Sequence, residues 1–352
     1  KWIGMEAARE YHYVLDEPVS GLAGVIFIHS TALGPAAGGC SLLAGHQTVA
    51  GIAADALRLA RANSYGNALA GLPFGGGKAI LRRPPGSFDR KKLFRAFGNA
   101  VRRLEGEFVT FRNVGTTDTD MEVVAKQTRH VLGLRSHPGK AGGDAAPWKA
   151  MGVFMAMQEA TKIACGRELD GMVVAIQGAG KVGGELARLV RRAGARVMVA
   201  DPDRSRVERL ATELGAKVIA PAQIFACKAD ILAPCAFGGV LNAGTIPEIR
   251  ARIICGAASN QLASAADGDE LASRGIFYAP DYLVNCGGMI NAAGEYMGES
   301  REEVIERICS IPERLRTVLN LAESTGVAPG RIADQMAEKR LALTAELHSP
   351  ID

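Results

Sequence analysis

Residues 172–177 (MVVAIQ) form an apolar, β-branched run, and Gly178-Ala179-Gly180-Lys181-Val182-Gly183 follows at once. A helix-forming stretch, 185–192, comes next, and a second apolar run, 196–200, ends in Asp201. Strand, glycine turn, helix, strand and acid in this order leave few folds open. The first glycine permits the tight turn, the second lets backbone approach a pyrophosphate, and the third packs helix against strand. The helix N-terminus, with Lys181 and Val182 in its first turn, directs its N–H groups at the phosphates. A carboxylate at Asp201 can accept hydrogen bonds from both hydroxyls of an adenine ribose. It would repel a 2′-phosphate, which favours NAD(H) over NADP(H), a preference that Arg204 weakens. The glycines alone fit a tight turn in another α/β domain equally well. The flanking strand, helix and acid turn the balance to dinucleotide binding.

The 352 residues suggest two domains, each with its own core. Hydrophobic content is 48% and charged content 22%, the proportions of a globular chain. The net charge of +4 is scattered and lacks an aromatic stacking array, which argues against nucleic acid. Arg188, Arg191 and Arg192 read as the solvated side of a helix. Seven cysteines form no C-x-x-C pair and several sit in apolar runs, as buried thiols of a reducing compartment do. The six histidines show no ligand spacing, so no metal is expected. No apolar run has transmembrane length and no signal peptide is apparent, which gives a cytoplasmic expectation without a membrane partner. The chain begins at Lys1, which leaves room for a short leader.

Short strand-like runs (24–29, 79–81, 107–110) and amphipathic helices (48–62, 90–104, 121–130) fill the N-terminal part. A linker is expected over 134–143 and a helix over 147–164. Strand-like segments at 217–220, 230–234, 253–257 and 276–279 alternate with helices, which predicts a parallel sheet. Residues 301–346 read as helical. The fold class is α/β with two domains. An N-terminal α/β substrate and assembly domain (1–140) is completed by C-terminal helices (330–352). A Rossmann-type, doubly wound dinucleotide-binding domain spans 145–329. The natural site is the cleft between domains, its mouth formed by strand ends that include Asn260.

Three further segments could carry chemistry. Gly75-Gly76-Gly77-Lys78 reads as a loop that presents a desolvated lysine for acid/base work, or equally as a flexible turn with a solvated lysine. Residues 29–39 (HSTALGPAAGG) could line a pocket through backbone or form a packed turn. Asp118 or Asp120 is expected to cap the helix that follows rather than to act in catalysis.

Taken in order, HSTALGPAAGG, LPFGGGK, NVGTTDTDM, IQGAGKVG, LAPCAFGGVLN, GAASNQL and YAPDYLVNCGGMIN span nearly the whole chain. Together they resemble the glutamate/leucine/phenylalanine/valine dehydrogenase family, closest to its leucine and phenylalanine branch, and tryptophan dehydrogenases are similar. The resemblance implies NAD-dependent, reversible oxidative deamination of an L-amino acid in a homo-oligomer, a dimer or larger. Domain closure would bring nicotinamide to the substrate Cα. Lys78 matches the catalytic lysine. The resemblance also places Lys149, Cys235, Ala236 and Asn260 at the cofactor, and Gly39, Gly66, Asn260 and Met289 at the substrate. Small or apolar candidates (Ala36, Ala37, Leu72, Met289) suit an apolar amine, imine or amino acid.

Four positions depart from the family pattern. The lysine that binds the substrate carboxylate is replaced by Gly66 in Asn63-Ser64-Tyr65-Gly66-Asn67. The aspartate paired with the catalytic lysine is replaced by Asn113. Gly39-Cys40-Ser41 lacks an arginine, and Lys149 aligns with a threonine that meets the nicotinamide carboxamide. A carboxylate–lysine pair is worth about 1.5–3 kcal/mol, and an acid/base step about 10²–10⁴-fold. Because these losses fall on chemistry, a redirected reductase or amine dehydrogenase on a substrate without an α-carboxylate is the first reading. An orthodox dehydrogenase with substitute groups is the second. A non-catalytic, cofactor-binding partner or regulatory subunit is the third.

Overall fold

The computed structural model describes residues 3–5, 10–44, 49–134 and 137–347. Thr48 of the first expected helix, Arg135 and Ser136 of the linker, and residues 348–352 of the C-terminal extension lie outside the described residues. The chain divides into two units. The first holds residues 1–144, 292–301 and 337–352, and the second holds 145–291 and 302–336. The sequence places the return to the first domain near 330. In the structure the chain returns twice, at 292 and at 337.

The first unit is built on a seven-stranded mixed sheet. Its strands are β1 (Ile3–Met5), β2 (Glu10–Glu17), β3 (Leu22–Ser30), β4 (Ala36–Leu43), β5 (Gly75–Arg82), β6 (Phe108–Arg112) and β7 (Val131–Leu132), in the order β1-β2-β3-β5-β4-β6-β7. The first four in that order pair antiparallel, and β5-β4-β6-β7 pair parallel. Helix α1 (Val49–Ala70) covers one face through Val25, Phe27, Ile52, Ala56, Ala60 and Ile80. The other face carries the larger core, where Phe94 and Phe97 of α2 (Arg90–Arg102) and Met121 and Val124 of α3 (Asp118–Ala125) meet Ile26, Cys40, Ala79 and Leu81. Side chains alternate across a strand, so Lys78 shares the α1 face with Ile80.

The glycine run before Lys78 is therefore not a loop but the start of a central strand. Gly75-Gly76-Gly77 has poor strand propensity, yet its pairing on both sides is decided by tertiary contacts. Gly76 lies directly against Ala60 and Ser64 of α1, where a side chain would collide. Asn63 and Asn67, one helical turn apart, donate their amides to the carbonyls of Gly77 (2.9 Å) and Gly75 (2.7 Å). The first helix accordingly runs to Ala70, beyond the expected end at 62. The helix expected over 121–130 is instead Asp118–Ala125. Its N-cap residue is Thr117, Asp120 completes the cap from the third helical position, and Asp118 takes no part. Thr117 Oγ1 accepts from Asp120 N–H (3.2 Å), while Asp120 Oδ2 accepts from Thr117 N–H (2.7 Å), a reciprocal capping box. Asp118 pairs with Arg112 at 3.0 Å.

The second unit begins with α4 (Ala146–Cys165) and continues with β8 (Val173–Gln177), α5 (Lys181–Arg192), β9 (Arg196–Ala200), α6 (Arg204–Leu214), β10 (Lys217–Val218), β11 (Ile231–Pro234), β12 (Ile253–Ile254), α7 (Ala265–Ser273) and β13 (Phe277–Tyr278). Its six strands are all parallel in the order β10-β9-β8-β11-β12-β13. The winding direction reverses between β8 and β11, the switch point where open α/β sheets bind ligands. Short α8 (Asp281–Val284), α9 (Gly287–Met297), α10 (Arg301–Cys309), α11 (Ile311–Thr325) and α12 (Pro329–Leu347) follow. Among the described residues no helix is long and apolar enough to cross a membrane. Cys40, Cys255 and Cys286 are buried free thiols, whereas Cys309 is exposed.

Candidate active site

In the second unit the fingerprint lies at the switch point. Gly178 adopts φ +101°, which a side chain would strain. A Cβ on Gly183 would collide with the Gly178 carbonyl oxygen, so α5 packs directly on the turn. A Cβ on Gly180 would meet nothing within 4 Å, so this glycine faces open space beside the first turn of α5. Asp201 braces the same turn: Oδ2 accepts from Ala179 N–H and Oδ1 from Asp203 N–H, both at 2.8 Å. Each carboxylate oxygen has a second lone pair left for a ribose hydroxyl. The nearby cation is Arg206, 3.8 Å from Asp201, rather than Arg204, which is held by Glu208 at 2.7 Å.

Across the switch point, Cys235 follows β11 and its N–H reaches the Gln177 carbonyl at 2.7 Å. Ala236 and Cys235 sit against Gly178. Asn260, in the segment after β12, takes a left-handed conformation (φ +53°) that is rare outside glycine. Buried Asp281 holds it there, accepting Asn260 N–H at 2.6 Å on Oδ2 and Tyr278 O–H at 2.8 Å on Oδ1. The Asn260 Nδ2 atom is buried without a hydrogen-bond partner. An amide donor in that state costs free energy until a ligand carbonyl or hydroxyl meets it. Burial lowers the proton affinity of Lys149 in the first turn of α4, while Cys235 and Asp281 oppose that shift. Burial raises Asp281 above the usual carboxylate range. Met289 is half-buried in α9.

In the first unit, Lys78, Gly39 and Asn113 come together on the α1 face of the sheet. Strand β4 runs between β5 and the end of β6, with Cys40 beside Ala79 on one side and Arg112 on the other. Lys78 is 3% exposed and its Nζ donates to Ser41 Oγ at 2.9 Å. The Asn113 side chain lies over Gly39, where any Cβ would overlap it. Its Oδ1 accepts from Val114 N–H at 2.7 Å, and its own N–H is held by Thr116 Oγ1 at 2.9 Å. Asn113 is thus fixed as part of the turn. Gly66 is buried on α1, between the two asparagines that bond the glycine strand. Ala36 belongs to the opposite core, against α2 and α3, and does not share the face of Lys78. Ala37 and Leu72 are buried.

Beside these residues, the α1 face carries a second polar cluster. His29 Nδ1 lies 2.9 Å from Ser64 Oγ, and burial pushes its imidazole down to about 4. Tyr65 O–H donates to Glu338 at 2.5 Å and accepts from Arg61 at 3.0 Å, which ties α12 to α1.

The Glu/Leu/Phe/Val dehydrogenase dimerisation-domain model matches residues 11–130, and the Glutamate/Leucine/Phenylalanine/Valine dehydrogenase model matches 198–346. The chain belongs to this dehydrogenase family. It is 39% identical to leucine dehydrogenase of Geobacillus stearothermophilus over 97% of this chain and 93% of that protein. It is 40% identical to valine dehydrogenase of Streptomyces albus over 96% and 93%. The crystal structure of L-tryptophan dehydrogenase from Nostoc punctiforme superposes with a TM-score of 0.77 at 34% identity, covering 95% of this chain and 96% of that one. This family member is an NAD(H)-dependent oxidoreductase of the amino-acid dehydrogenase type. Its residues fit that cofactor: an open glycine turn at a helix N-terminus, a carboxylate at the end of β9, and an unpartnered buried amide after β12.

Two neighbours of the candidate residues escape sequence reasoning. Asp281 stands within the YAPDY motif, but nothing local links it to Asn260, 21 residues earlier. Ser41 stands out in the sequence only by an absent arginine, and its contact with Lys78 depends on strand pairing.

Proposed function

We propose that this family member is an L-amino-acid dehydrogenase that interconverts an apolar amino acid with its 2-oxo acid and ammonia, as a homo-oligomer. The observation that carries this reading is Lys78: buried on the sheet face, its Nζ fixed at 2.9 Å from Ser41 beside Gly39 and Asn113. A buried amine so held can polarise a carbonyl or move a proton to and from water. When bound, NAD(H) supplies the hydride acceptor or donor. The turn at 178–183 would hold its pyrophosphate, Asp201 its ribose, and Asn260 would offer its free amide donor. The likeness to leucine, valine and tryptophan dehydrogenases supports the orthodox reaction over a redirected one.

One observation favours the second reading, reduction of an imine or amine without an α-carboxylate. Gly66 is buried and brings no cation to the substrate, and Asn113, an amide whose carbonyl oxygen accepts from Val114 N–H, cannot act as the acid or base. The test is NADH oxidation by the purified protein on a plate holding apolar 2-oxo acids with ammonia in one half and preformed imines in the other. Turnover on oxo acids supports the proposal. Turnover confined to imines replaces it with the second reading. Lys78→Ala should abolish turnover while NADH binding persists, and the elution mass should exceed one chain.

A further inference from the structure

We infer that Ser41 is the positioning residue of Lys78: its hydroxyl accepts the lysine's Nζ–H at 2.9 Å and fixes where that amine stands on the sheet. The inference rests on the reading of Lys78 as the reacting amine. Nothing in the family comparisons assigns a role to this serine, and the sequence marks the position only by a missing arginine.

The geometry is specific. Ser41 and Lys78 lie on adjacent parallel strands whose register pairs Cys40 with Ala79 and Ser41 with Ile80. Alternation puts both side chains on the α1 face. Both residues are buried, Ser41 at 4% and Lys78 at 3% exposure. Two residues before Ser41 on the same face, Gly39 offers no side chain, and Asn113 lies over it. An arginine at position 41 would set a like charge beside the ammonium. A serine sets a short, neutral group there.

The chemistry suits a lysine that must change protonation state. A hydroxyl accepts from an ammonium, and after rotation donates to the lone pair of the free amine. An ionised carboxylate can only accept, so it cannot donate to the lone pair of the free amine and favours the charged state. Ser41 can therefore hold Nζ in place on both sides of a proton transfer, which the amide of Asn113, engaged with Val114, is not placed to do. The titratable groups around this lysine are distributed over six elements. Cys40 on β4 is in electrostatic contact with it, and Arg90 on α2 and Asp120 on α3 are joined to each other at 2.7 Å. On the α1 side, His29, Arg61, Tyr65 and Glu338 form their own network.

The experiment compares Ser41→Ala, Ser41→Cys and Ser41→Thr with the wild type on whichever substrate the plate identifies, measuring kcat, KM and the pH profile of kcat. Loss of an acceptor to a charged donor should lower kcat about tenfold, leave KM within about threefold, and move the acid limb of the profile to lower pH by about one unit. Ser41→Cys, close in size but a weak hydrogen-bond partner, should behave like Ser41→Ala. Ser41→Thr should restore both kcat and profile. A wild-type kcat and pH profile in Ser41→Cys overturns the inference, as does a Ser41→Thr variant that folds and binds NADH but stays impaired. Lys78→Ala separates the two levels. A fully active Lys78→Ala refutes the reading of the lysine itself. An inactive Lys78→Ala beside an unimpaired Ser41→Cys refutes only the role of the serine.

Discussion

Removing the Asp281 carboxylate should unlock Asn260 and weaken the second unit together. Two donors end on this buried group, Asn260 N–H at 2.6 Å and Tyr278 O–H at 2.8 Å. In Asp281→Ala both lose their acceptor inside the fold, and each unsatisfied buried group costs about 1–3 kcal/mol. The sum is about 2–6 kcal/mol, less whatever water regains. Asn260 also loses what holds it at φ +53°, so NADH affinity should fall about tenfold, equivalent to about 1.4 kcal/mol. The assay is urea unfolding followed by Trp148, which lies buried in the second unit, in a Trp2→Phe background. The pH dependence has a definite sign. Burial raises Asp281 above the carboxylate value it has in the unfolded chain, so the native state binds its proton more readily. Its contribution relative to a non-titrating Asp281→Asn is fully present below the unfolded value, about 3.9, and is lost as pH rises through the raised folded value. A midpoint difference between wild type and Asp281→Asn that stays flat or grows with pH would refute the assignment. An Asp281→Ala variant destabilised by less than about 1 kcal/mol would refute the bracing role.

Other substitutions test separate parts of the structure. Gly183→Ala should reduce NADH affinity at least about tenfold while circular dichroism is retained, because its Cβ meets the Gly178 carbonyl and overpacking of this kind costs about 1–3 kcal/mol. Asp120→Ala removes a capping box and a bidentate Arg90 contact at once. It should cost about 2–4 kcal/mol in urea unfolding, and a loss below about 1 kcal/mol would mean the contact is idle. Gly66→Lys combined with Asn113→Asp should raise turnover of apolar L-amino acids about tenfold or more. No gain in a soluble, folded double variant would show that these two positions do not face the substrate as the family pattern implies.

The cofactor half of the protein was readable because its determinants are local. Strand, glycine turn, helix and acid lie within 30 consecutive residues (172–201), and two of the glycines are required locally, Gly178 by its positive φ and Gly183 by the carbonyl of Gly178. The substrate half was less readable. The run 75–77 looks like a loop because glycine disfavours strands, and only the close approach of α1 and pairing on two sides make it the centre of a sheet. Thr117 is not evident as the N-cap in the sequence because the acids after it are the louder signal. Asp120 does serve the cap, but from the third position of the helix.

The resemblance to the family singled out the lysine worth testing, and the sequence by itself determined the class of fold and the dinucleotide turn with Asp201 behind it. These depend on residue type and short-range spacing, which backbone sterics and periodicity convert directly into structure. The tertiary structure alone decided who touches that lysine and what holds Asn260. Ser41 reaches Lys78 across 37 positions and Asp281 reaches Asn260 across 21. Both contacts are set by strand register and helix packing. Those arise from the burial of whole faces of a sheet, a property no short segment carries.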